Sequence, residues 1–351
     1  MKKGYNRLRR FTATLLGIVF LVSGLLKIMD PVGTMLIVTE YCKFLHLGFL
    51  MPAAKGVGIA LALAEGTLGI LLITGAFRKI AAIATFCMLG FFTLLTLVLL
   101  VRNPAMDCGC FGQAIHLTHL QSFLKNLVMV ALSAFAFLPL RDFGKTKTRK
   151  WVTAGLGFAA LVVAVVYSNT HLPSINFTQY HLGAQLYASL EEDADVDFSA
   201  YPMLSFSDAD GNYHDELAAT AEAVVLSVYD PLKADWARLA EEYQRIAAAG
   251  ATPLLLVASY PAQTATLGIP EDIPLYYADY KTLITLNRSN GGGSYFCDGE
   301  LILNWMAGAF PENLPEVVAD NPVNVSTREM VHRRIVSQGY LLGLLALLIL
   351  V

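Results

Sequence analysis

The sequence predicts an α-helical membrane domain joined to an α/β soluble domain. Three observations carry that reading: five apolar runs long enough to cross a bilayer, a change to alternating strand and helix signals near residue 201, and a division of charge between the two parts. The chain has 351 residues, 55% of them hydrophobic, and a mean hydropathy of +0.53. A soluble domain averages about 45–50% apolar residues. The excess is concentrated in Phe11–Met29, Gly56–Phe77, Ile80–Val101, Ser122–Leu140 and Trp151–Ser168. A helix of roughly 20 apolar residues spans a ~30 Å hydrocarbon core, so each run predicts a transmembrane helix.

The first run follows Lys2, Lys3, Arg7, Arg9 and Arg10, the flank of a signal peptide. It ends in Lys27-Ile-Met-Asp30-Pro31 without a small-residue cleavage pattern, so it reads as a retained first helix. With the N-terminus inside, 12 basic residues fall in inside segments and 3 in outside loops. That asymmetry predicts a cytoplasmic N-terminus in a bacterial inner membrane. The loop after the third run, and everything after the fifth, then face the periplasm, where disulfides persist. Residues 171–327 carry 22 acidic against 5 basic residues, a net −17, while residues 1–170 carry 17 basic against 5 acidic, a net +12. A basic membrane part and an acidic outer part give no sign of nucleic-acid binding.

Residues 31–54 read as an apolar outside loop with a short interfacial helix near Met35–Phe44, and 169–200 as an irregular linker. From Tyr201 the pattern is α/β. Met203–Ser207 predicts a strand, Asp208–Gly211 a turn, Ala223–Tyr229 a buried strand, Trp236–Ala249 a helix stopped by Gly250, and Pro253–Ala258 a second buried strand. Tyr280–Asn287 predicts a short helix. Ser294–Cys297 and Glu300–Trp305 predict a hairpin about Asp298-Gly299, and Leu314–Val318 a last helix. This is the element order of a thioredoxin fold, in a domain at 201–327. The apolar tail 335–351 reads either as a sixth membrane segment or as an interfacial one.

The candidate chemistry lies in Met106-Asp-Cys-Gly-Cys-Phe-Gly-Gln113. Cys108 and Cys110 flank one glycine on a short outside loop. A disulfide between i and i+2 closes a tight ring that needs a permissive residue between the sulfurs. Strained bridges are the labile and catalytic ones, so the pair suits exchange; two structural cysteines on a turn is an equal alternative by spacing alone. Arg102 and Lys125 lie near enough in sequence to favour a thiolate, and Asp107 would oppose it. Cys108, Cys110, His116 and His119 also make a ligand set for tetrahedral zinc, although Cys-x-Cys is an unusual half-site. Cys87 and Cys297 read as buried small hydrophobes, and Cys42 as a residue that could meet the pair in space.

Glu65 lies near the middle of the second run, where an ionisable group is costly and marks function. Gly58, Ala62 and Gly66 form a small-residue face beside it. Glu65 has three candidate roles there: pairing with Lys27, carrying a proton, or meeting a quinone head-group. The bland reading is a protonated carboxyl bonded to backbone. In the outer domain, Asp230-Pro-Leu-Lys233 stands where a redox-active thioredoxin fold has Cys-x-x-Cys, and Asn290-Gly-Gly-Gly-Ser294 replaces the expected cis-proline.

Gly17-x-x-Phe20-x-x-Ser23-Gly24-x-x-Lys27-x-x-Asp30-Pro31 resembles the first helix of DoxX-like membrane proteins. Glu65 with Gly69 and Gly75, Asp107-Cys-Gly-Cys-Phe111-Gly112, and Phe123-x-Lys125-Asn126 resemble the methylamine-utilisation MauE type. The resemblance covers about residues 8–140. It implies a four-helix DoxX/MauE-like bundle at 1–142, with a fifth helix at 151–168 and a thioredoxin-like domain lacking Cys-x-x-Cys. By that resemblance Cys108 and Cys110 are the exchange pair, with Phe111 and Gly112 in the same motif. The partner it implies is a periplasmic thioredoxin-like or cysteine-containing protein, and the role is in maturing exported disulfide proteins. Membrane lipid surrounds the bundle, and a quinone is a candidate cofactor. A non-enzymatic scaffold, or a quinol-oxidase-like accessory subunit, is the alternative.

Overall fold

The structure, a computed structural model, describes residues 2–140, 147–190, 201–265, 267, 269 and 273–349. It divides into two units, Met1–Thr170 with Gln338–Val351, and His171–Ser337.

In the first unit α1 (Lys2–Met29) ends two residues before Pro31, which opens α2 (Pro31–Phe44). Asp30 caps α2 by accepting from the Gly33 N–H at 2.8 Å, and Pro31 costs nothing at a position whose N–H is unpaired anyway. The helix α3 (Ala54–Thr74) stops at Gly75, whose φ of +69° suits glycine and whose N–H closes on the Leu71 carbonyl. Next come α4 (Arg78–Arg102), the extended segment β1 (Cys110–Gln113) and α5 (His119–Phe137). Thr118 and Gln121 form a capping box at the start of α5. The last full helix of this unit is α6 (Thr148–Thr170).

Among the described residues five helices are long and apolar enough to cross a membrane: those containing α1, α3, α4, α5 and α6. They agree with the five predicted runs. The chain is a multi-pass membrane protein. The predicted interfacial helix is α2, starting four residues earlier than its sequence suggests.

Glycines let α1 and α3 approach to backbone contact. A Cβ on Gly24 would lie 2.5 Å from the Gly66 nitrogen, and one on Gly69 2.5 Å from the Leu21 nitrogen. Interfaces between membrane helices gain by such small residues because dispersion, not water expulsion, holds them together. This places Glu65 inside the bundle at 1% exposure. Cys87, in contrast, is exposed on the outer face of α4 with Ile80, Ile83 and Phe91, so the expectation of a core cysteine there is corrected. The helix period turns position 87 away from buried Thr85 and Leu89.

The second unit is built on a six-stranded mixed sheet. Its elements are β2 (Phe206–Ser207), β3 (Ala223–Val228), α7 (Trp236–Ala248), β4 (Thr252–Val257), α8 (Pro261–Thr264), β5 (Leu275–Ala278), α9 (Tyr280–Leu286), β6 (Gly292–Cys297), β7 (Glu300–Trp305) and α10 (Leu314–Ala319). The strand order is β2-β5-β4-β3-β6-β7. β3 runs parallel to β4 and antiparallel to β6, which pairs antiparallel with β7. Val224, Leu226 and Val228 enter one core with Leu239 and Ile246 of α7, while Ala223 and Val225 enter the other with Leu283 and Leu286 of α9. A sheet covered on both faces explains the unbroken apolar run of β3. Asp298 and Gly299 both have positive φ, as a two-residue hairpin turn of the primed kind requires.

Three expectations change here. Residues 171–190 are not a linker: Tyr180 and Leu186 are buried in the second core, and the Gly183 N–H donates to the Leu301 carbonyl at 2.8 Å. Residues 191–200 of that predicted linker lie outside the described residues, as do 141–146 of the predicted inside loop. The strand expected at Met203–Ser207 is only two residues long, and β5, which was not expected, pairs with it at the sheet edge. Cys297 is half-buried at the end of β6 rather than enclosed; burial and the nearby Glu222 carboxylate push its thiol up to about 11.

The tail does not start at 335. It belongs to the helix α11 (Pro322–Ile349): within the second unit Val325 enters the first sheet core, and within the first unit Leu344 and Leu348 pack with Leu21 and Leu161. The Tyr340 hydroxyl donates to the Ala160 carbonyl at the middle of α6, at 3.0 Å.

Candidate functional site

Lys27 and Ser23 lie four residues apart on one face of α1, one turn from its end. Glu65 faces them from α3. The three N–H groups of Lys27 are all used: Glu65 Oε2 accepts at 2.8 Å, Ser23 Oγ at 2.8 Å and the Cys110 carbonyl at 2.6 Å. Ser23 Oγ lies 2.6 Å from both Glu65 Oε2 and the Cys110 carbonyl, so its single proton serves one of them. Lys27 is 5% exposed and Glu65 1%. The pairing proposed from sequence is therefore present, and it is tied to the Cys-Gly-Cys loop through main-chain atoms.

A second clamp holds the other cysteine. Tyr41 of α2 donates its hydroxyl to the Cys108 carbonyl at 2.7 Å. Between the two carbonyls Gly109 adopts φ +62°, and a Cβ there would collide with Ile37. Gly112, also at φ +62°, turns its N–H back to the Gly109 carbonyl at 3.1 Å. The sequence marked Gly109 as permissive; the structure adds that α2 fills the space its side chain would need. Gly109→Ala should combine left-handed strain of about 1–2 kcal/mol with that collision. A lower unfolding temperature, and a smaller oxidised fraction of the pair by alkylation mass shift, are the expected results.

All five cysteines are thiols in this structure. The Cys110 thiol donates to Cys108, and this is the main reason the Cys108 thiol falls to about 6. The Cys110 backbone N–H, 3.4 Å from Cys108 Sγ, and the charge of Lys125 act in the same direction, against burial. The Cys110 thiol is raised, first because it is the donor in that bond and then by burial. The shared bond thus favours ionisation at Cys108 and opposes it at Cys110. Lys125 is near enough to favour ionisation of both sulfurs, and its ammonium lies 4.9 Å from the centre of the Phe111 ring.

Other expected neighbours are elsewhere. Arg102 is exposed at the end of α4, and among the described residues nothing joins it to either sulfur. Asp107 is exposed and lies 2.9 Å from His116 Nδ1. His119 Nε2 lies 3.0 Å from the Pro104 carbonyl. The two histidines of the considered zinc set are thus engaged away from the sulfurs, and among the described residues no cluster of three potential ligands forms.

Cys108 and Cys110 line a cavity of about 230 Å³ between α1, α2, α3, α4 and α5. Lys27, Glu65 and Lys125 also border it, and Cys42 does so from α2 without a bond to the pair. Most of the remaining lining is apolar. Sequence reading gave Ser23 only as part of the first-helix resemblance, with no role at the site, and missed Tyr41 and this cavity. The four-residue spacing of Ser23 and Lys27 was a usable signal for that role; a tyrosine in an interfacial helix gives none.

Residues 6–139 match the family of methylamine utilisation protein MauE. The match covers α1 to α5 and the whole of this site, so the MauE-like region and the cavity-bearing bundle coincide. Protein TlpB of Flavobacterium psychrophilum is 29% identical over 165 residues, 45% of this chain and 44% of that protein. The chain thus spans less than half the length of that relative. No solved structure matches the chain.

Proposed function

We propose that this protein is a membrane thiol–disulfide exchange protein whose exchanging pair is Cys108 and Cys110, serving the maturation of exported disulfide proteins. The observation that carries the reading is the Cys108–Cys110 pair held side by side, its main chain clamped by Lys27 on one side and Tyr41 on the other. In the oxidised form a partner thiolate attacks the Cys108–Cys110 bond and makes a mixed disulfide. The partner's second thiolate then releases the partner as a disulfide, and the Cys108–Cys110 dithiol remains. The partner class is a thioredoxin-like or otherwise cysteine-bearing protein outside the inner membrane. The MauE match supports a redox-associated role, and the charge asymmetry supports the periplasmic side.

For the second unit, the β4-β3-β6-β7 order with its parallel and antiparallel pairings supports a thioredoxin-like reading. Its Asp230–Lys233 turn has no sulfur, so its role is to dock rather than to exchange. Leu232, 85% exposed on that turn, favours docking. A purely non-enzymatic scaffold is the second reading. It requires that Cys108 be replaceable without loss while deletion of 171–337 abolishes function.

The test is alkylation of the reduced protein across pH. Only the thiolate reacts, so the Cys108 rate should stay level above neutral pH and drop about tenfold per unit below about 6. Peptide mapping separates it from Cys110, which should react far more slowly. A Cys108 that titrates near 8.5, as an ordinary thiol does at about that value, would remove the physical basis of the proposal.

A further inference from the structure

Exchange with a protein outside the membrane does not require a cavity among the membrane helices. Yet the cavity reaches both sulfurs. At about 230 Å³ it is smaller than the ~300–1,000 Å³ typical of whole ligand sites, and of a size for a ring-like head-group whose tail stays outside. Lys27, Ser23 and Glu65, bonded to one another and to the Cys110 carbonyl, border it beside the sulfurs, and Lys125 favours ionisation of both; Thr34, Thr96 and Asn126 add polar groups, and most of the remaining lining is aliphatic and aromatic. Three of those wall residues, Leu45, Val57 and Phe91, are 40%, 42% and 59% exposed. Val57 and Phe91 belong to spanning helices, so the mouth lies on an apolar surface that the bilayer covers.

We infer that this cavity binds the head-group of a lipid-soluble quinone, which removes two electrons from the Cys108–Cys110 dithiol. The inference rests on the exchange reading above. A turnover that oxidises a partner leaves a dithiol that must lose two electrons and two protons. An acceptor of that stoichiometry, apolar enough to enter from the bilayer, is a quinone. The Cys108 thiolate adds to a ring carbon, forming an S–C bond. Cys110 then attacks the Cys108 sulfur; the S–S bond forms, the S–C bond breaks, and its electron pair leaves on the ring. The Cys110 proton and the one released when Cys108 ionised end on the two quinone oxygens. The dithiol is oxidised and the quinone becomes a quinol, in equal amounts.

The experiment uses the full chain in detergent micelles, reduced, freed of reductant and kept anaerobic, with ubiquinone-1 as the probe. Loss of ubiquinone-1 absorbance should be saturable, should match disulfide formation one for one, and should vanish in Cys108→Ser. Leu95→Trp and Val57→Trp, placed in the wall and the mouth, should each raise the half-saturating ubiquinone-1 concentration by at least about tenfold. Thermal melting identifies any variant that has lost its fold, and the wild-type stoichiometry stands without either. A parallel sample receives glutathione disulfide. If glutathione disulfide oxidises the pair and ubiquinone-1 does not, the inference fails and the exchange reading survives. If neither does, the exchange reading itself fails and the inference falls with it. Quinone loss that persists in Cys108→Ser, or folded tryptophan variants with unchanged half-saturation, would also overturn it and leave the cavity to a lipid acyl chain.

Discussion

Cys108→Ser is expected to abolish thiol exchange, and Cys110→Ser to arrest it half-way. The two sulfurs are not equivalent. Donation from Cys110 lowers the Cys108 thiol, and the same bond raises that of Cys110. The thiolate is the nucleophile in any disulfide exchange. Removing Cys108 leaves a thiol whose ionisation is opposed by burial, so the rate should fall by orders of magnitude. Removing Cys110 has two effects. It deprives Cys108 of its main stabilising donor, though a serine hydroxyl can partly replace it, and it deletes the resolving group. A small disulfide probe should therefore form a mixed disulfide on Cys108 that persists. Non-reducing electrophoresis after acid quench reads both outcomes. Capture on Cys110 in the Cys108→Ser variant, at a rate comparable to the reverse case, would contradict the assignment.

The membrane helices and the strands of the second unit could be read from the sequence because each follows from local pattern. Runs of about 20 apolar residues fix spans, and the β-branched runs at 223–228 and 252–257 fix the central strands. What escaped was set by distant contacts. Leu275–Ala278 carries no strong strand signal; β4 on one side and β2 on the other make it a strand. Residues 171–190 look polar and irregular, yet Tyr180 and Leu186 seal the second core. The site shows the same division. Cys-Gly-Cys, Glu65 and Lys27 stand out as residue types out of place. That Lys27 holds the Cys110 carbonyl, 83 residues away, while Tyr41 holds that of Cys108, 67 residues away, follows only from the packing of α1, α2 and α3. Composition misjudged Cys87 for a related reason: in a bilayer the outer face of a helix is as apolar as its core, so hydropathy does not tell the two apart.

Glu65→Leu is expected to be the most destabilising single substitution in the bundle. It would leave the Lys27 ammonium buried with only two neutral acceptors, Ser23 and the Cys110 carbonyl. Breaking a buried pair by removing one partner typically costs about 3–5 kcal/mol. In a membrane helix the alternative, moving the charge out along its flexible stem, pulls Lys27 off the carbonyl it holds. Either route should lower the unfolding temperature and slow thiol exchange together. Lys27→Met with Glu65→Leu distinguishes the two effects. Replacing both charges by apolar groups of similar volume is often neutral for stability, so the double variant should recover much of the lost unfolding temperature. It does not restore a donor to the Cys110 carbonyl, which keeps only the Ser23 hydroxyl. Exchange by the double variant should therefore stay slow while its fold is sound. Full recovery of the exchange rate in the double variant would reduce the ion pair to a structural device and separate it from the chemistry of the cysteine loop.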